Sequence, residues 1–194
     1  MKLHVGSGSI YLRDWCNVDL PYPNVFLASE RPDLVERLIT DESDYYGRHS
    51  AKTTDTLKTP IRQEMVCDRY GSFEFLPVCL KSIDEVLSRQ CFEHLSITEA
   101  HNALESLRAV LKPGGILRLD VPDHDEALRK LGETGDYFFA RHLMGPRSSD
   151  MGFHMMSYQR MSLRVLVEAH GFTYVEEEPN IHIYPAFCLR FRHD

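Results

Sequence analysis

Two glycines and one aspartate near the start of the chain form the pattern with the clearest chemical meaning. Gly6-Ser7-Gly8-Ser9 directly follows residues 2–5, an apolar-leaning segment that we expect to be a strand. Glycines in that position let the backbone turn tightly and let a ligand approach the main-chain N–H groups. Asp19 lies at the end of the next expected strand, residues 17–20. A carboxylate at such a tip can accept hydrogen bonds from both ribose hydroxyls, so the spacing predicts a nucleoside site.

The same stretch disfavours a dinucleotide such as NAD. The dinucleotide fingerprint has a third glycine where this chain has Tyr11, and its acid follows roughly 20 residues further on. Here Asp19 lies 13 residues after Gly6 (19 − 6). We interpret residues 10–16 as a short helical link, too short for the helix that would hold a pyrophosphate. The alternative is an ordinary strand–turn–strand in which the glycines serve backbone geometry alone.

Size and charge narrow the classes of function. A chain of 194 residues with this composition predicts one globular domain. The net charge of −7 argues against binding along nucleic-acid backbones, which needs clustered Lys and Arg. No run approaches the ~20 apolar residues of a membrane span, and residues 1–20 lack the apolar centre of a signal peptide. Five cysteines without a close pair indicate reduced thiols in a cytoplasmic protein, and the lack of a CxxC pair argues against structural zinc.

A strand–helix–strand unit lies in the middle of the chain. Residues 83–88 alternate and then become apolar, as a central strand does. Ser96 and Glu99 form a capping box, in which each side chain satisfies a free main-chain N–H group. The apolar face of the helix that follows ends at residues 113–115 (PGG), and residues 116–121 form the next strand. Two strands joined by a helix must pair in parallel.

The other expected elements are less regular. We expect a third strand at residues 64–67, a helix at 123–131 and an irregular segment at 132–156. Ser157 is predicted to cap the last helix. Residues 172–175 and 181–191 are expected to form an antiparallel hairpin at one edge of the sheet.

In this order the segments resemble the class I S-adenosylmethionine-dependent methyltransferases, most closely the small methyltransferases of type 11. The resemblance covers most of the chain outside residues 21–60. The matching pieces are Leu3-His4-Val5-Gly6-Ser7-Gly8, Trp15-Cys16-Asn17-Val18-Asp19 (W-x-N-x-D), Cys67-Asp68, Phe92-Glu93-His94-Leu95 (E-H-L), Leu111-Lys112-Pro113-Gly114-Gly115, residues 119–123 and residues 154–172. It implies an α/β fold: a Rossmann-like, mostly parallel seven-stranded sheet with helices on both faces and an antiparallel C-terminal hairpin.

The resemblance also implies S-adenosylmethionine as cofactor and assigns residues to it. Asp19 would bind the ribose hydroxyls, Asp68 would accept a hydrogen bond from the adenine amino group, and residues 88–91 would line the methionine end. Asp19 and Asp68 have the alternative of being turn residues at strand ends. The expected cofactor-binding residues are Val5, Gly6, Ser7, Gly8, Asp19, Asp68, Ser88 and Cys91.

Three residues are candidates for catalysis on the acceptor side: His94, His154 and Tyr158. A histidine at this edge of the sheet is suited to removing a proton from the acceptor. The alternative for His94 is a structural role in ordering its loop, and for His154 and Tyr158 a packed aromatic cluster with Phe153. Asp123, His124 and His142 invite a metal interpretation, but no close ligand spacing supports it, and we expect no metal.

The expected function is methylation of oxygen or nitrogen on a small-molecule or glycan acceptor by one domain spanning residues 1–194. Insertions at about residues 21–60 and 132–156 would set acceptor specificity, the second as one wall of the acceptor pocket. The alternative is a non-catalytic binding or assembly module that keeps this fold, which the short glycine turn motivates. The chain also lacks the helix that many relatives place before the first strand. Residues 30–50 or a second copy in a homodimer would then cover the cofactor.

Overall fold

The computed structural model describes residues 1–45, 64–145 and 152–194. The insertions predicted at residues 21–60 and 132–156 thus lie partly outside the described residues. The strands are β1 (Lys2–Val5), β2 (Tyr11–Leu12), β3 (Cys16–Asp19), β4 (Val25–Leu27), β5 (Ile39–Thr40), β6 (Met65–Cys67), β7 (Arg69–Tyr70), β8 (Ile83–Arg89), β9 (Leu111–Pro122), β10 (Phe172–Glu178) and β11 (Ala186–His193). The helices are α1 (Pro32–Leu38), α2 (Ile97–Val110), α3 (His124–Thr134), α4 (Tyr137–Met144) and α5 (Arg160–Glu168).

Seven strands form one sheet in the order β10-β11-β9-β8-β1-β3-β7. β1 lies between β3 and β8 and runs parallel to both, with Leu3 opposite Cys16 on one side and Val86 on the other. β8 and β9 are also parallel, whereas β11 runs antiparallel to both β9 and β10. The predicted fold class is confirmed. The carboxyl ends of β1, β3, β8 and β9 therefore meet at one edge, where open α/β sheets bind ligands.

The central strand–helix–strand unit forms as its sequence predicts. The Ser96 side chain accepts a hydrogen bond from the Glu99 amide at 3.3 Å, and the Glu99 carboxylate accepts one from the Ser96 amide at 2.7 Å. Behind this capping box, Ala100, Leu104 and Leu107 are fully buried. The apolar side of α2 thereby anchors the parallel pairing of β8 with β9.

The two faces of β1 are covered differently. Leu3 and Val5 belong to the main core, to which α2 and α5 contribute. His4 points to the opposite face, as alternation along a strand requires. There Leu87 packs against a second cluster that includes Trp15 and Tyr45. The second face at the centre of the sheet is thus covered by an irregular segment.

The helical link predicted at residues 10–16 was wrong. The segment contains the short strand β2, which pairs in parallel with β5. The side chain of Asn17 accepts a hydrogen bond from the Leu12 amide at 2.9 Å and donates to the carbonyls of Leu12 and Trp15. A left-handed backbone at Asp14 (φ 64°) interrupts any helix. The buried side-chain amide of Asn17 thus makes the hydrogen bonds with main-chain groups that the turns of a helix would otherwise make.

The third strand, predicted at residues 64–67, is present but does not belong to the main sheet. Residues 65–67 form β6, which pairs with β4 in a separate two-stranded sheet, and β7 forms the edge of the main sheet. Asp68 lies between β6 and β7. Its amide donates to the carbonyl of Asn17 at 2.8 Å, while its carboxylate accepts the amide of Asn17 at 2.7 Å. A side-chain hydrogen bond of Asp68 thus replaces one main-chain hydrogen bond between the strands, and the chain passes from the two-stranded sheet to the main sheet at this residue.

Differences in the C-terminal half follow from local capping. The segment at residues 132–156 is not wholly irregular, because it contains α4, whose first turn is capped by Asp136. The last helix does not begin after Ser157. The Ser162 hydroxyl accepts the Gln159 amide at 3.0 Å, and α5 therefore begins at Arg160.

Two observations concern membrane insertion and the oxidation state of the cysteines. Over the described parts of the chain, no helix has the length and apolar character needed to cross a bilayer. All five cysteines are free thiols. The cytoplasmic location stays a prediction.

The buried histidine of β1 predicts a pH dependence of stability. His4 Nδ1 lies 3.0 Å from Asn17 Oδ1 and its Nε2 lies 2.8 Å from the Tyr45 hydroxyl. Burial lowers the pKa of His4 to about 4; the Asn17 hydrogen bond opposes this shift and the Arg89 charge adds to it. In the unfolded chain the pKa is about 6.5. As pH falls from 6.5 towards 4, only the unfolded state takes up this proton, so the free energy of unfolding falls.

We expect His4 to contribute up to about 3 kcal/mol to that loss, from roughly 1.4 kcal/mol per pKa unit. Urea unfolding at pH 7, 5.5 and 4.5 measures it. His4→Gln should show a shallower decline than the native protein, and the exposed His101→Gln should keep the native slope. Equal slopes for native protein and His4→Gln would refute the assignment.

Candidate cofactor and active site

The glycine turn after β1 is held by the neighbouring strand. The amides of Gly6 and Ser7 both donate to the carbonyl of Val18, at 2.9 and 3.2 Å. Gly6 (φ +70°) and Gly8 (φ +55°) are left-handed. A Cβ added to Gly6 would lie 2.2 Å from the sulfur of Cys91, whereas one added to Gly8 would meet nothing within 4 Å. Space is therefore open above Gly8, and the turn is closed by Cys91 at Gly6.

Asp19 fixes the turn to the tip of β3. Its Oδ2 accepts the Gly8 amide at 2.5 Å and the Ser7 hydroxyl at 3.5 Å, and its Oδ1 accepts the Leu20 amide at 2.7 Å. Burial raises the pKa of Asp19, and these hydrogen bonds oppose the shift. An ionised carboxylate has about four lone-pair sites. The three bonds use up to three of them, and the Ser7 bond is long at 3.5 Å, so one or two sites are left for hydroxyl donors from a ligand.

The tip of β8 closes the other side of the turn. Burial, and then the charges of Glu93 and Asp19, raise the pKa of the Cys91 thiol. Ser88 is fully buried, and its hydroxyl finds no hydrogen-bond partner among the described residues. Val5 lies in the core, which leaves its main chain as the part that can face a ligand.

Asp68 is occupied by the protein's own donors. Its Oδ1 accepts the Tyr11 hydroxyl at 2.6 Å, and its Oδ2 accepts the main-chain and side-chain amides of Asn17 at 2.7 and 3.2 Å. These bonds join β2, β3 and the start of β7. Contact between Asp68 and an adenine stays a prediction.

Sequence reasoning missed Tyr22. The side chain is half-buried, and after burial the charges of Asp19 and Cys91 raise the pKa of its hydroxyl. The Tyr22 hydroxyl is therefore within electrostatic range of the carboxylate and the thiol that border the glycine turn. An aromatic residue three positions after the strand-end acid was the available signal.

His94 and His154 come together at the carboxyl edge of the sheet. His94 follows β8 in a single 3₁₀ turn, Phe92–His94. Its Nδ1 lies 2.7 Å from the carbonyl oxygen of Phe153, and since a carbonyl only accepts, Nδ1 carries the proton. The amides of Met155 and Met156 donate to the carbonyl of Glu93 at 2.9 and 3.1 Å. These bonds bring the two histidine rings to 5.0 Å between centroids.

Glu93 is the second residue that the sequence analysis did not include in the site. It is 1% exposed, and neither carboxyl oxygen has a hydrogen-bond partner among the described residues. Oε1 lies 3.8 Å from Nε2 of His154. Burial raises the pKa of Glu93 well above its usual range. Burial, together with the nearby His94, His142 and His124, lowers the pKa of His154 to about 4, so at neutral pH the imidazole is uncharged. The signal in the sequence for Glu93 was its position directly before the histidine of the E-H-L motif.

Tyr158 is a core residue with a polar end towards Glu93. It is 2% exposed and packs against Phe92 with ring centroids 5.7 Å apart. Burial and then the charge of Glu93 raise the pKa of its hydroxyl, which finds no partner among the described residues. Its catalytic role stays a prediction.

The three residues considered for a metal site serve different roles. Asp123 caps α3 through the Glu126 amide at 3.1 Å and pairs with Arg160 at 2.7 Å. His142 Nε2 donates to the carbonyl of Pro185 at 2.7 Å. The ring of His124 lies 6.5 Å from that of His154.

The comparisons with known proteins agree with this architecture. A family model described as a methyltransferase domain matches residues 13–177. No curated protein sequence gives a match. The chain belongs to this methyltransferase domain family. It is an S-adenosylmethionine-dependent methyltransferase of class I fold, and the predicted family, enzyme class and cofactor are confirmed.

Solved structures share the fold at low sequence identity. The PH0226 protein from Pyrococcus horikoshii OT3 is 16% identical over 100% of this chain and 81% of its own, with a TM-score of 0.57. A methyltransferase from Methanosarcina mazei is 14% identical over 99% and 91%, with a TM-score of 0.58. The 1,6-didemethyltoxoflavin-N1-methyltransferase from Burkholderia thailandensis, solved with 1,6-didemethyltoxoflavin and S-adenosylhomocysteine, is 15% identical over 99% and 70%, with a TM-score of 0.55.

The two glycines of the turn predict unequal responses to alanine. Gly8→Ala should cost about 1–2 kcal/mol, the strain of a left-handed residue, because the added methyl group meets open space. Gly6→Ala should cost about 2–5 kcal/mol, because overpacking against Cys91 adds about 1–3 kcal/mol to the same backbone strain. Urea unfolding of both variants checks the difference. Cys91→Gly should recover part of the loss in Gly6→Ala; equal losses for the two alanine variants would contradict the close contact.

Proposed function

We propose that this enzyme transfers a methyl group to an oxygen or nitrogen of a small-molecule or glycan acceptor that binds beside His94 and His154. One observation carries the proposal. Cys91 closes the glycine turn, and the Glu93–His94 pair begins two residues later, so the nucleoside side and the histidine side share one edge of the sheet. Such adjacency is what in-line methyl transfer between two bound molecules requires.

The turn fits the cofactor. The space above Gly8 is open to a ligand, whereas at Gly6 the sulfur of Cys91 closes the turn. Asp19 would accept from the ribose hydroxyls, the main chain of Val5–Gly8 would lie along the amino-acid part, and Ser88 and Cys91 would border the methionine end. Tyr22 would cover the ribose, and Asp68 would face the adenine. When bound, S-adenosylmethionine supplies an electrophilic methyl group on a sulfonium.

The histidines supply proton acceptors on the acceptor side. Nδ1 of His94 is fixed by the Phe153 carbonyl, which leaves Nε2 as the nitrogen with a free lone pair for a proton. His154 is uncharged at neutral pH because its pKa is lowered to about 4. Both can orient an acceptor hydroxyl or amine, and Tyr158 supports them from the core. The end of the segment at residues 132–156 would form a wall of this pocket.

Two observations favour a small acceptor, and a third favours an enzyme. The Burkholderia neighbour is named for methylation of a small molecule, 1,6-didemethyltoxoflavin. The net charge of −7 is unfavourable for nucleic acid. Family membership favours an enzyme over an assembly module. The homodimer stays a prediction.

Asp19→Ala tests the cofactor side. The variant should lose one or two charge-assisted hydrogen bonds to the ribose, each worth roughly 1.5–3 kcal/mol, so S-adenosylhomocysteine should bind at least tenfold more weakly. Calorimetry measures the affinity, and circular dichroism checks that the variant is folded. Asp19→Asn keeps the size and one acceptor oxygen and should lose less. Unchanged affinity in a folded Asp19→Ala protein would refute the role.

His154→Ala and Tyr158→Phe test the acceptor side. Formation of S-adenosylhomocysteine from the cofactor is followed with a panel of small-molecule and glycan acceptors, and the best acceptor is kept. Both variants should lower turnover at least tenfold and leave S-adenosylhomocysteine binding intact, because they lie on the acceptor side. His101→Ala is the control and should keep native turnover. Native rates in both site variants would show that the acceptor binds elsewhere.

A further inference from the structure

Glu93, His94 and His154 form a group of potential metal ligands. One ligand atom from each lies within 4.8 Å of the other two, and no other such group of three occurs in residues 1–45, 64–145 and 152–194. Oε1 of Glu93 and Nε2 of His154 are already 3.8 Å apart. Ligand atoms about 2.1 Å from one ion are roughly 3.0–3.5 Å apart, so side-chain rotations that shorten these separations by about 1 Å would place an ion between them.

The side-chain hydrogen bond of His94 leaves one ring nitrogen with a lone pair that can bind a metal. Its Nδ1–H donates to the Phe153 carbonyl, so Nε2 carries the lone pair. A histidine that binds a metal usually donates its other N–H in this way, because the bond fixes the tautomer and the ring orientation. His154 is uncharged at neutral pH and also has a lone pair available.

The carboxyl group of Glu93 gives a second, independent indication. It is almost completely buried, and neither oxygen accepts a hydrogen bond from any other described residue. A buried carboxyl group without donors is unfavourable, and buried charges in proteins are normally paired or bound to metals. A cation between Glu93, His94 and His154 would satisfy it.

We propose that Glu93, His94 and His154 bind one divalent transition-metal ion that holds the acceptor hydroxyl. Two imidazoles and one carboxylate suit zinc, manganese, iron or cobalt, whereas magnesium and calcium prefer oxygen ligands throughout. Three protein ligands leave a position open for a substrate oxygen. This set differs from Asp123, His124 and His142, and it replaces the expectation of a metal-free site.

The role of the ion rests on the proposed methyl transfer, whereas metal binding itself does not. With the ion bound, the two histidines hold the metal instead of accepting the proton. A metal lowers the pKa of a bound hydroxyl, so its proton passes to solvent near neutral pH. A lone pair of the resulting oxygen forms the O–CH₃ bond, and the pair of the breaking S–CH₃ bond goes to the sulfur. The sulfonium becomes the neutral thioether of S-adenosylhomocysteine, and the acceptor becomes a methyl ether. A site with this metal ion would therefore favour acceptors that carry a hydroxyl group.

Titration with cobalt(II) tests the site directly. Protein treated with a chelator and then dialysed should bind one Co²⁺ per chain, seen by calorimetry and by visible absorption bands of the bound ion. Glu93→Gln, His94→Ala and His154→Ala should each bind at least tenfold more weakly. His101→Ala is the matched control, because His101 and His170 also form a histidine pair, at 3.1 Å. It should bind as the native protein does. Glu93→Gln keeps the size of the side chain and serves if an alanine variant fails to fold.

The outcomes separate this inference from the proposed function. If native protein binds S-adenosylhomocysteine but shows no Co²⁺, Mn²⁺ or Zn²⁺ binding, or if Glu93→Gln binds as His101→Ala does, the metal site is refuted and the proposed function stands. If the metal binds and S-adenosylhomocysteine does not, the function fails and the site stands. With an acceptor identified, chelation should lower turnover at least tenfold and Mn²⁺ or Co²⁺ should restore it. Turnover unaffected by the chelator would overturn the role of the ion.

Discussion

A single buried carboxylate, that of Asp120 on β9, sets the direction in which the chain leaves the neighbouring strand β8. Asp120 is 2% exposed near the end of β9. Its oxygens accept from the guanidinium of Arg89 at 2.6 Å and the side-chain amide of Gln90 at 2.8 Å, and His182 Nε2 lies 2.7 Å away. Its carbonyl also accepts the Gln90 amide at 2.8 Å. These bonds hold Gln90 in a left-handed conformation (φ 52°) that a residue with a side chain rarely adopts.

The turn at Gln90 positions both halves of the site. One residue later Cys91 lies against Gly6, and two residues after that Glu93 and His94 meet His154. A left-handed residue of this kind is unfavourable by about 1–3 kcal/mol and persists only where the surroundings determine it. The ion pair between Arg89 and Asp120 inside the sheet holds Gln90 in this conformation, because breaking the pair would leave a buried charge without a partner, which is more unfavourable still.

The parts that the sequence could predict are those decided locally. The unit from β8 to β9 follows from periodic apolar residues and a capping box, and the glycine turn with Asp19 follows from residue type at a strand end. The link at residues 10–16 could not be predicted, because Asn17 replaces its main-chain partners and is itself bonded to Asp68, 51 residues away. The same holds for Glu93 and His154: each is unremarkable in its own segment, and only tertiary structure makes them neighbours.

The contact between Gly6 and Cys91 couples two positions that are 85 residues apart (91 − 6). With the sulfur where a Cβ would stand, neither position can enlarge while the other is kept, and a bulkier side chain at 91 displaces the turn even though residue 6 is unaltered. Divergence at the two positions must therefore be concerted. Among relatives of this chain, the side chain at position 91 and the backbone shape of the first loop should co-vary, and a loop grafted from a relative would carry its own partner residue with it.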